Sequence, residues 1–566
     1  MNMAWSLNGI FTIMLCASSL FAQNNLSLRL QRQEVPVDPY VTPARETITT
    51  SPAYRFSSGI FTMTQANVDS AGNNIVGDAA NEPSIAVDRN NPNRIAIGWR
   101  QFNTITNNFR QAGYAFTTDG GQAWTFPGVI EPGIFRSDPV LGSDTDGNFY
   151  YNSLTVSGPD FLCNVFKSTD GGASWDGGTF AQGGDKQWMV IDKTNGAGRG
   201  NIYSNWTSSF SVCSPGFFTR STDGNMSYDS CVVIPDDPFW GTLDVGANSE
   251  LYVAGAGNTD FVLAKSTTAL DSAQTVTWDT TTVVDLGGQI VAFAGASSPN
   301  PSGLHGQTWV AVDHSAGPTS GNVYVVCSVR PDTGSDPLDV RFTCSTDGGL
   351  TWSAPVRIND DTTSAEWQWF GTMSVAPNGR IDVVWLDTRN NPGTVLSSLY
   401  YSYSIDAGVT WAPNIRLSNS FDPHVGWPQQ QKMGDYYHMV SDNAGVHLAW
   451  AATFNGEQDV YYGHISLPVD VAEHSRNVPA EFSLLQNFPN PFNPSTTIQF
   501  ALPRTGTTLL RVYNTLGMEV TTLVSGNLNA GTHTVNWDAS GIPSGVYFYR
   551  LEAGEFSQTK KLILLR

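Results

Sequence analysis

Basic residues are scarce in this chain of 566 residues: 29 Lys and Arg stand against 50 Asp and Glu, a formal net charge of −21. That deficit excludes a nucleic-acid binder, which needs a basic surface to neutralise phosphates. Charge of either sign is thin, at 14% of residues, against roughly 25% in an ordinary soluble domain. Long apolar runs are also missing. Only Gly9 to Ala22 (GIFTIMLCASSLFA) is apolar enough to consider, and about fourteen residues are too few to span a bilayer. Cysteine is rare, with six in all, and no spacing among them matches a zinc pattern. The chain contains no His-Glu-x-x-His, no Gly-x-Ser-x-Gly and no Gly-Lys phosphate loop. A zincin metalloprotease, an α/β-hydrolase and a P-loop nucleotidase are thereby excluded.

What is present is turn and strand material: 54 Gly, 31 Pro and 11% aromatics. Such a chain makes many turns and few amphipathic helices, and the expected class is all-β. The N-terminal run ends in Leu20-Phe21-Ala22 before Gln23. It reads as a secretory signal peptide over residues 1–22, cut after Ala22, although no Lys or Arg lies ahead of it. Residues 23–50 then form a linker. In an exported chain the five remaining cysteines, Cys163, Cys213, Cys231, Cys327 and Cys344, are disulfide candidates. Cys327 and Cys344 fall on neighbouring expected strands and form the favoured pair. The odd count leaves at least one thiol over.

Self-similarity decides the architecture. Thr117-Thr118-Asp119-Gly120-Gly121-Gln122-Ala123-Trp124 returns as Ser168 to Trp175, Ser221 to Tyr228, Ser345 to Trp352 and Ser404 to Trp411, with a worn copy from Ser266 to Trp278. Asp119, Asp170, Asp223, Asp347 and Asp406 can accept backbone N–H bonds in a hairpin turn, while Gly supplies positive φ. These aspartates are read as structural. Each motif closes a longer unit that begins with an apolar strand such as Ser84-Ile85-Ala86-Val87. Seven openings are counted, near Pro83, Pro139, Trp188, Trp240, Trp309, Trp369 and His438. Units of about 50 to 70 residues, each of four short strands, fit the blades of a β-propeller. The seventh unit lacks its hairpin motif, and Arg55 to Thr64 is expected to supply its missing outer strand beside Asp459 to Leu467.

The Ser-x-Asp-Gly-Gly-x-Thr-Trp copies resemble the Asp-boxes of the sialidase superfamily and its bacterial-neuraminidase-repeat relatives, over residues 51–468. That resemblance implies six blades where the count gives seven. It also implies an arginine triad clamping a carboxylate, and the upper loops offer Arg100, Arg136, Arg330 and Arg389. The Arg-Ile-Pro motif of the family is absent, and Tyr54-Arg55-Phe56-Ser57 replaces it poorly; no catalytic triad is carried over. Trp367 and Trp427 are candidates for stacking on sugar rings.

Counting back three residues from an opening aromatic or His gives Asp185, Asp237, Glu366 and Asp435; Glu82 and Asp138 sit nearly equivalently, and Gly306 breaks the series. A ring of carboxylates at one channel mouth suits acid/base work on a glycosidic bond. It suits a Ca²⁺ held by oxygen ligands equally, and equally a set of acids bonding inter-blade turns. No other cofactor is indicated. Asp144-Thr145-Asp146-Gly147-Asn148 looks calcium-like, but its Gly comes too early for an EF-hand and it reads as a hairpin turn.

After a second linker (469–480) the composition changes. Residues 481–566 read as some seven alternating strands, a small Ig-like β-sandwich. Gln486-Asn487-Phe488-Pro489-Asn490-Pro491, Leu516-Gly517-Met518-Glu519-Val520, Ser544-Gly545-Val546-Tyr547 and the ending Lys560 to Arg566 resemble the type A C-terminal sorting domain of the type IX secretion system. The resemblance implies handling by that machinery and delivery through the periplasm to the medium or the outer-membrane surface. The whole reads as an exported propeller that binds glycans or glycosylated, polymeric ligands. The alternative is a glycoside hydrolase, exo-sialidase-like, using the acids at the channel mouth.

Overall fold

The repeated turns are built alike. In the computed structural model, Asp347 Oδ1 accepts the N–H groups of Leu350 (3.1 Å) and Thr351 (2.9 Å), and Ser345 Oγ donates to it (2.8 Å). Gly348 and Gly349 sit at φ +75° and +90°, a region closed to most side chains. Asp119, Asp170, Asp223 and Asp406 accept backbone N–H groups in the same way. The tryptophans reach across to another sheet: Trp352 Nε1 lies 3.4 Å from Thr282 Oγ1 and Trp124 Nε1 donates to Thr64 Oγ1 at 3.0 Å. These two turns thereby tie their own sheets to a neighbour, and Trp175 and Trp411 do so by packing on Tyr114 and Phe342.

The structure describes residues 38–42, 49–467 and 482–565, apart from 159, 259, 505, 529–530 and 555. The expected signal peptide (1–22), the second linker (469–480) and most of the first linker lie outside them. The chain divides into two compact units between Leu467 and Pro468. No helix among the described residues is long and apolar enough to cross a membrane.

Among the described residues the first unit contains seven antiparallel sheets of three to five strands, with a two-stranded ribbon besides. Their inner strands are Ala79–Val87, Ser137–Ser143, Trp188–Ile191, Leu243–Val245, Trp309–Val312, Gln368–Val375 and His438–Ser441. Each inner strand touches the next, and the last touches the first, so the sheets form a closed ring. The seventh sheet takes strands from both ends of the unit: Phe61–Gln65 pairs antiparallel with Asp459–Ser466, Phe61 opposite Ile465 and Thr64 opposite Tyr462. Joining them removes two open sheet edges. The middle strands are buried on both faces between neighbouring sheets, as in Ile381–Asp387 and Gly445–Ala452, which is why they read as apolar runs without alternation.

The expected Cys327–Cys344 disulfide does not form. The two strands are neighbours, but Cys327 lies opposite Arg341 and Cys344 opposite Tyr324. Three steps of register, at about 3.3 Å each, separate them by more than a disulfide spans. The disulfide joins Cys213 and Cys231, while Cys163, Cys327 and Cys344 are free thiols.

The second unit packs a three-stranded sheet (Ser483–Leu484, Ser495–Leu502, Gly531–Asp538) and a four-stranded sheet (Glu519–Leu528, Gly506–Tyr513, Gly545–Ala553, Phe556–Leu564) around one apolar core. Alternate residues Tyr547, Tyr549, Leu551 and Ala553 face that core, the period of a half-buried strand. The motif after Gln486 straps the last strand: Asn490 Oδ1 accepts from Ile563 N–H (2.9 Å), and Asn490 Nδ2 and Gln486 Nε2 donate to Lys561 O (3.3 and 2.7 Å).

Candidate functional site

Each inner strand enters the ring at the end opposite the repeated turns, since four antiparallel strands place the first entry and the third turn at opposite ends. At that end the backbone kinks. Glu82, Asp138, Lys186, Trp240 and Phe370 adopt φ of 48° to 59°; Glu82, Asp138 and Phe370 lie inside their inner strands, Lys186 two residues ahead of Trp188 and Trp240 three ahead of Leu243. Register shifts mark β-bulges at Glu82, Asp138 and Phe370. A bulge re-aims its side chain, and a left-handed non-glycine residue costs roughly 1 kcal/mol or more.

At this mouth of the channel four of the six predicted carboxylates meet, with cations among them. Lys432 Nζ lies 2.7 Å from Asp435 and 3.4 Å from Glu82, and Arg100 Nε lies 3.2 Å from Glu82. Lys186 Nζ lies 2.6 Å from Asp435, 3.8 Å from Asp185 and 3.9 Å from Asp138. Glu82, Asp138, Asp185 and Asp435 are all buried, at 5% exposure or less. Burial holds the Glu82 carboxyl well above the usual range, against the pull of Arg100 and Lys432.

The ring of six is corrected to this group of four. Asp237 accepts from Ser208 Oγ (2.9 Å) and Glu366 from Thr388 Oγ1 (3.0 Å). The anchors are the reason. Trp188 and His438 begin their inner strands, whereas Trp240 lies three residues ahead of Leu243 and Trp369 lies ahead of the bulge inside Gln368–Val375, so counting back from them enters a different stretch of chain.

The arginines are mostly spoken for. Arg100 is fully buried and bonds Asn81 Oδ1 (2.8 Å). Arg136 pairs with Glu131 at 2.5 Å over the Phe166 ring. Arg389 pairs with Asp387 (2.8 Å) and Asp360 (2.6 Å) over Tyr400. They form no triad. Arg330 is exposed and makes no ion pair among the described residues. Trp367, half-buried, lies against His305 at 5.1 Å between rings, and Trp427 bonds Pro423 O and packs on His424. Asp144 closes the turn of its own hairpin, accepting Asp146 and Asn148 N–H groups at 2.9 Å.

Lys186, Lys432 and His305 escaped the sequence reading because they do not repeat between units. His305 is fully buried, neither ring nitrogen has a hydrogen-bond partner, and burial with Arg330 nearby lowers its pKa to about 3. Below the charged mouth an aromatic plug crosses the channel: Trp188 contacts Trp309 (5.0 Å), Tyr436 (5.2 Å) and His438 (5.4 Å). His438 Nδ1 accepts from Ser84 Oγ (2.8 Å) and Ile85 N–H (3.2 Å); that fixes a neutral ring, and burial brings its pKa to about 3. Past the plug a cavity of about 560 Å³ is lined by all seven inner strands.

Residues 486–565 match the family described as a secretion system C-terminal sorting domain. The second unit is a sorting domain, and the chain is exported through the periplasm for secretion or attachment at the cell surface. No curated protein matches the sequence. Among solved structures, a protein of unknown function from Dyadobacter fermentans is 15% identical over 69% of this chain and 98% of its own, with a TM-score of 0.40. The Trypanosoma rangeli sialidase is 10% identical over 91% and 89%, TM-score 0.35. The endosialidase of phage phi92 is 8% identical over 83% and 75%, TM-score 0.38.

Proposed function

We propose that the first unit, residues 51–468, is a seven-bladed β-propeller that binds a glycan or glycosylated polymer outside the cell, and that residues 481–566 present it to the type IX machinery. The cyclic contact of seven inner strands supports the blade count. One observation favours binding over hydrolysis: the carboxylates at the channel mouth are buried and matched by Lys432, Lys186 and Arg100. Most glycosidases need two carboxyls that reach substrate, one to give a proton and one to attack or to activate water. The reading places ligand contacts instead on the rim carrying Arg330 and Trp367, with the repeated turns as structural staples.

A glycan array probed with the full secreted chain tests this. Binding to one glycan class, weakened at least about tenfold by the paired Arg330→Ala and Trp367→Ala changes, is the expected result, that loss being about 1.4 kcal/mol. Absence of any glycan binding refutes it. So does turnover of a fluorogenic glycoside that Glu82→Gln or Asp435→Asn abolishes, which would make the protein a hydrolase.

A further inference from the structure

A second group of carboxylates lies apart from the channel mouth, at the seam where the ring closes. Asp78 leads into the first sheet; Glu457 and Asp459 belong to the last hairpin of the seventh. One oxygen from each lies within 4.8 Å of the others, and the residues are 5%, 6% and 0% exposed. No Lys, Arg or His pairs with any of them among the described residues. The contrast with the channel mouth is direct, since there every buried carboxylate has a cation.

The seam instead supplies neutral donors that hold the carboxylates in place. Glu457 accepts from Asn74 Nδ2 (3.0 Å) and Gly77 N–H (2.6 Å). Asp459 accepts from Asn67 Nδ2 and Asn455 Nδ2 (both 2.9 Å) and from Tyr461 OH (3.3 Å). Asp78 Oδ2 accepts from Gln101 Nε2 (2.9 Å), but its other oxygen, Oδ1, is enclosed and has no partner. Three carboxylates in one buried pocket cannot all ionise without a counter-charge.

We propose that Asp78, Glu457 and Asp459 form a Ca²⁺ site that fastens the closing seam of the ring. Oxygens bound to one Ca²⁺ at about 2.4 Å lie at most about 4.8 Å apart, the limit within which these oxygens fall. The donor set is oxygen only, which selects a hard cation. Three carboxylates offer up to six ligand atoms, and a buried, all-protein cage suits Ca²⁺ better than Mg²⁺, which is seldom held by dedicated all-protein cages. The amides of Asn67, Asn74, Asn455 and Gln101 act as the outer shell that orients the ligands.

The experiment uses the full chain, stripped with EDTA and dialysed. One Ca²⁺ per chain in equilibrium dialysis, and a Tm raised by about 3 °C at a hundredfold excess over Kd, are expected. Tb³⁺ luminescence sensitised through Tyr461 and competed away by Ca²⁺ should accompany them. Asp78→Asn abolishes all three; should that variant not fold, Glu457→Gln is read in the same way. The stripped wild-type chain showing no Ca²⁺ uptake and no Tm response overturns the site, whatever the variants do. Equal responses in wild type and a folded variant overturn it too, and a Mg²⁺ response matching that of Ca²⁺ overturns the ion assignment.

Discussion

Replacing Lys432 by Met removes the cation shared by Glu82 and Asp435 while keeping the bulk of the side-chain stem. Breaking one partner of a buried ion pair costs about 3–5 kcal/mol, mostly because the remaining charge is left without compensation. Here Asp435 retains Lys186 at 2.6 Å and Glu82 retains Arg100 at 3.2 Å, so the lower end, about 3 kcal/mol, is expected. With unfolding entropy near 2.1 cal/mol/K per residue over about 420 residues, 1 kcal/mol shifts Tm by about 1 °C. The variant should therefore melt about 3–4 °C below wild type by circular dichroism at neutral pH. The sign of the pH dependence follows from Glu82, whose folded pKa is raised from 4.5 to about 8. A raised carboxyl favours the fold below its unfolded pKa, and that contribution is lost as pH rises through the folded value. Below that value Glu82 is mostly neutral and Lys432 acts mainly through Asp435, so the gap between variant and wild type should widen as pH rises through 8. Adding Glu82→Gln to Lys432→Met should recover that added loss. A single variant melting within about 1 °C of wild type, or a double variant no better than the single, would refute the network.

The repeated turns make an acid-pH prediction: hydrogen bonds from Thr351 and Ser345 lower the Asp347 pKa from 3.8 to about 2. A lowered carboxyl stabilises above its unfolded pKa, so the Tm deficit of Asp347→Asn should be full above pH 3.8 and close as pH falls through 2. The Cys213–Cys231 disulfide closes a loop with a separation of 18 residues, worth about 3 kcal/mol by loop entropy. Cys213→Ser with Cys231→Ser should lower Tm by about 3 °C, while replacing Cys327 or Cys344 should leave the number of disulfides counted by mass spectrometry unchanged.

Much of the fold was legible because its signals are local. An Asp that bonds N–H groups three and four residues on, with Gly at positive φ between, needs nothing beyond its own hairpin, and Asp170 or Asp406 announces the turn by spacing alone. The strand 55–64 beside 459–467 could be inferred from what the seventh unit lacked. The site was only half legible. The bulges at Glu82, Asp138 and Phe370 shift the register by an amount no repeat count reveals. Lys186 and Lys432 come from single sheets and leave no periodic trace. The seam carboxylates are harder still, because Asp78 and Asp459 are brought together only by closure of the ring, and one of them precedes every repeat that was aligned. The disulfide failed for a similar reason: neighbouring strands were recognised, but three steps of register were not.

The seventh sheet also bears on where this chain needs to begin. Phe61 lies opposite Ile465, so beginning and end of the wheel are already side by side, and every sheet touches two others. Linking Leu467 to Thr49 and opening the chain between any two other sheets would leave the same circle of contacts, with a different sheet carrying the join.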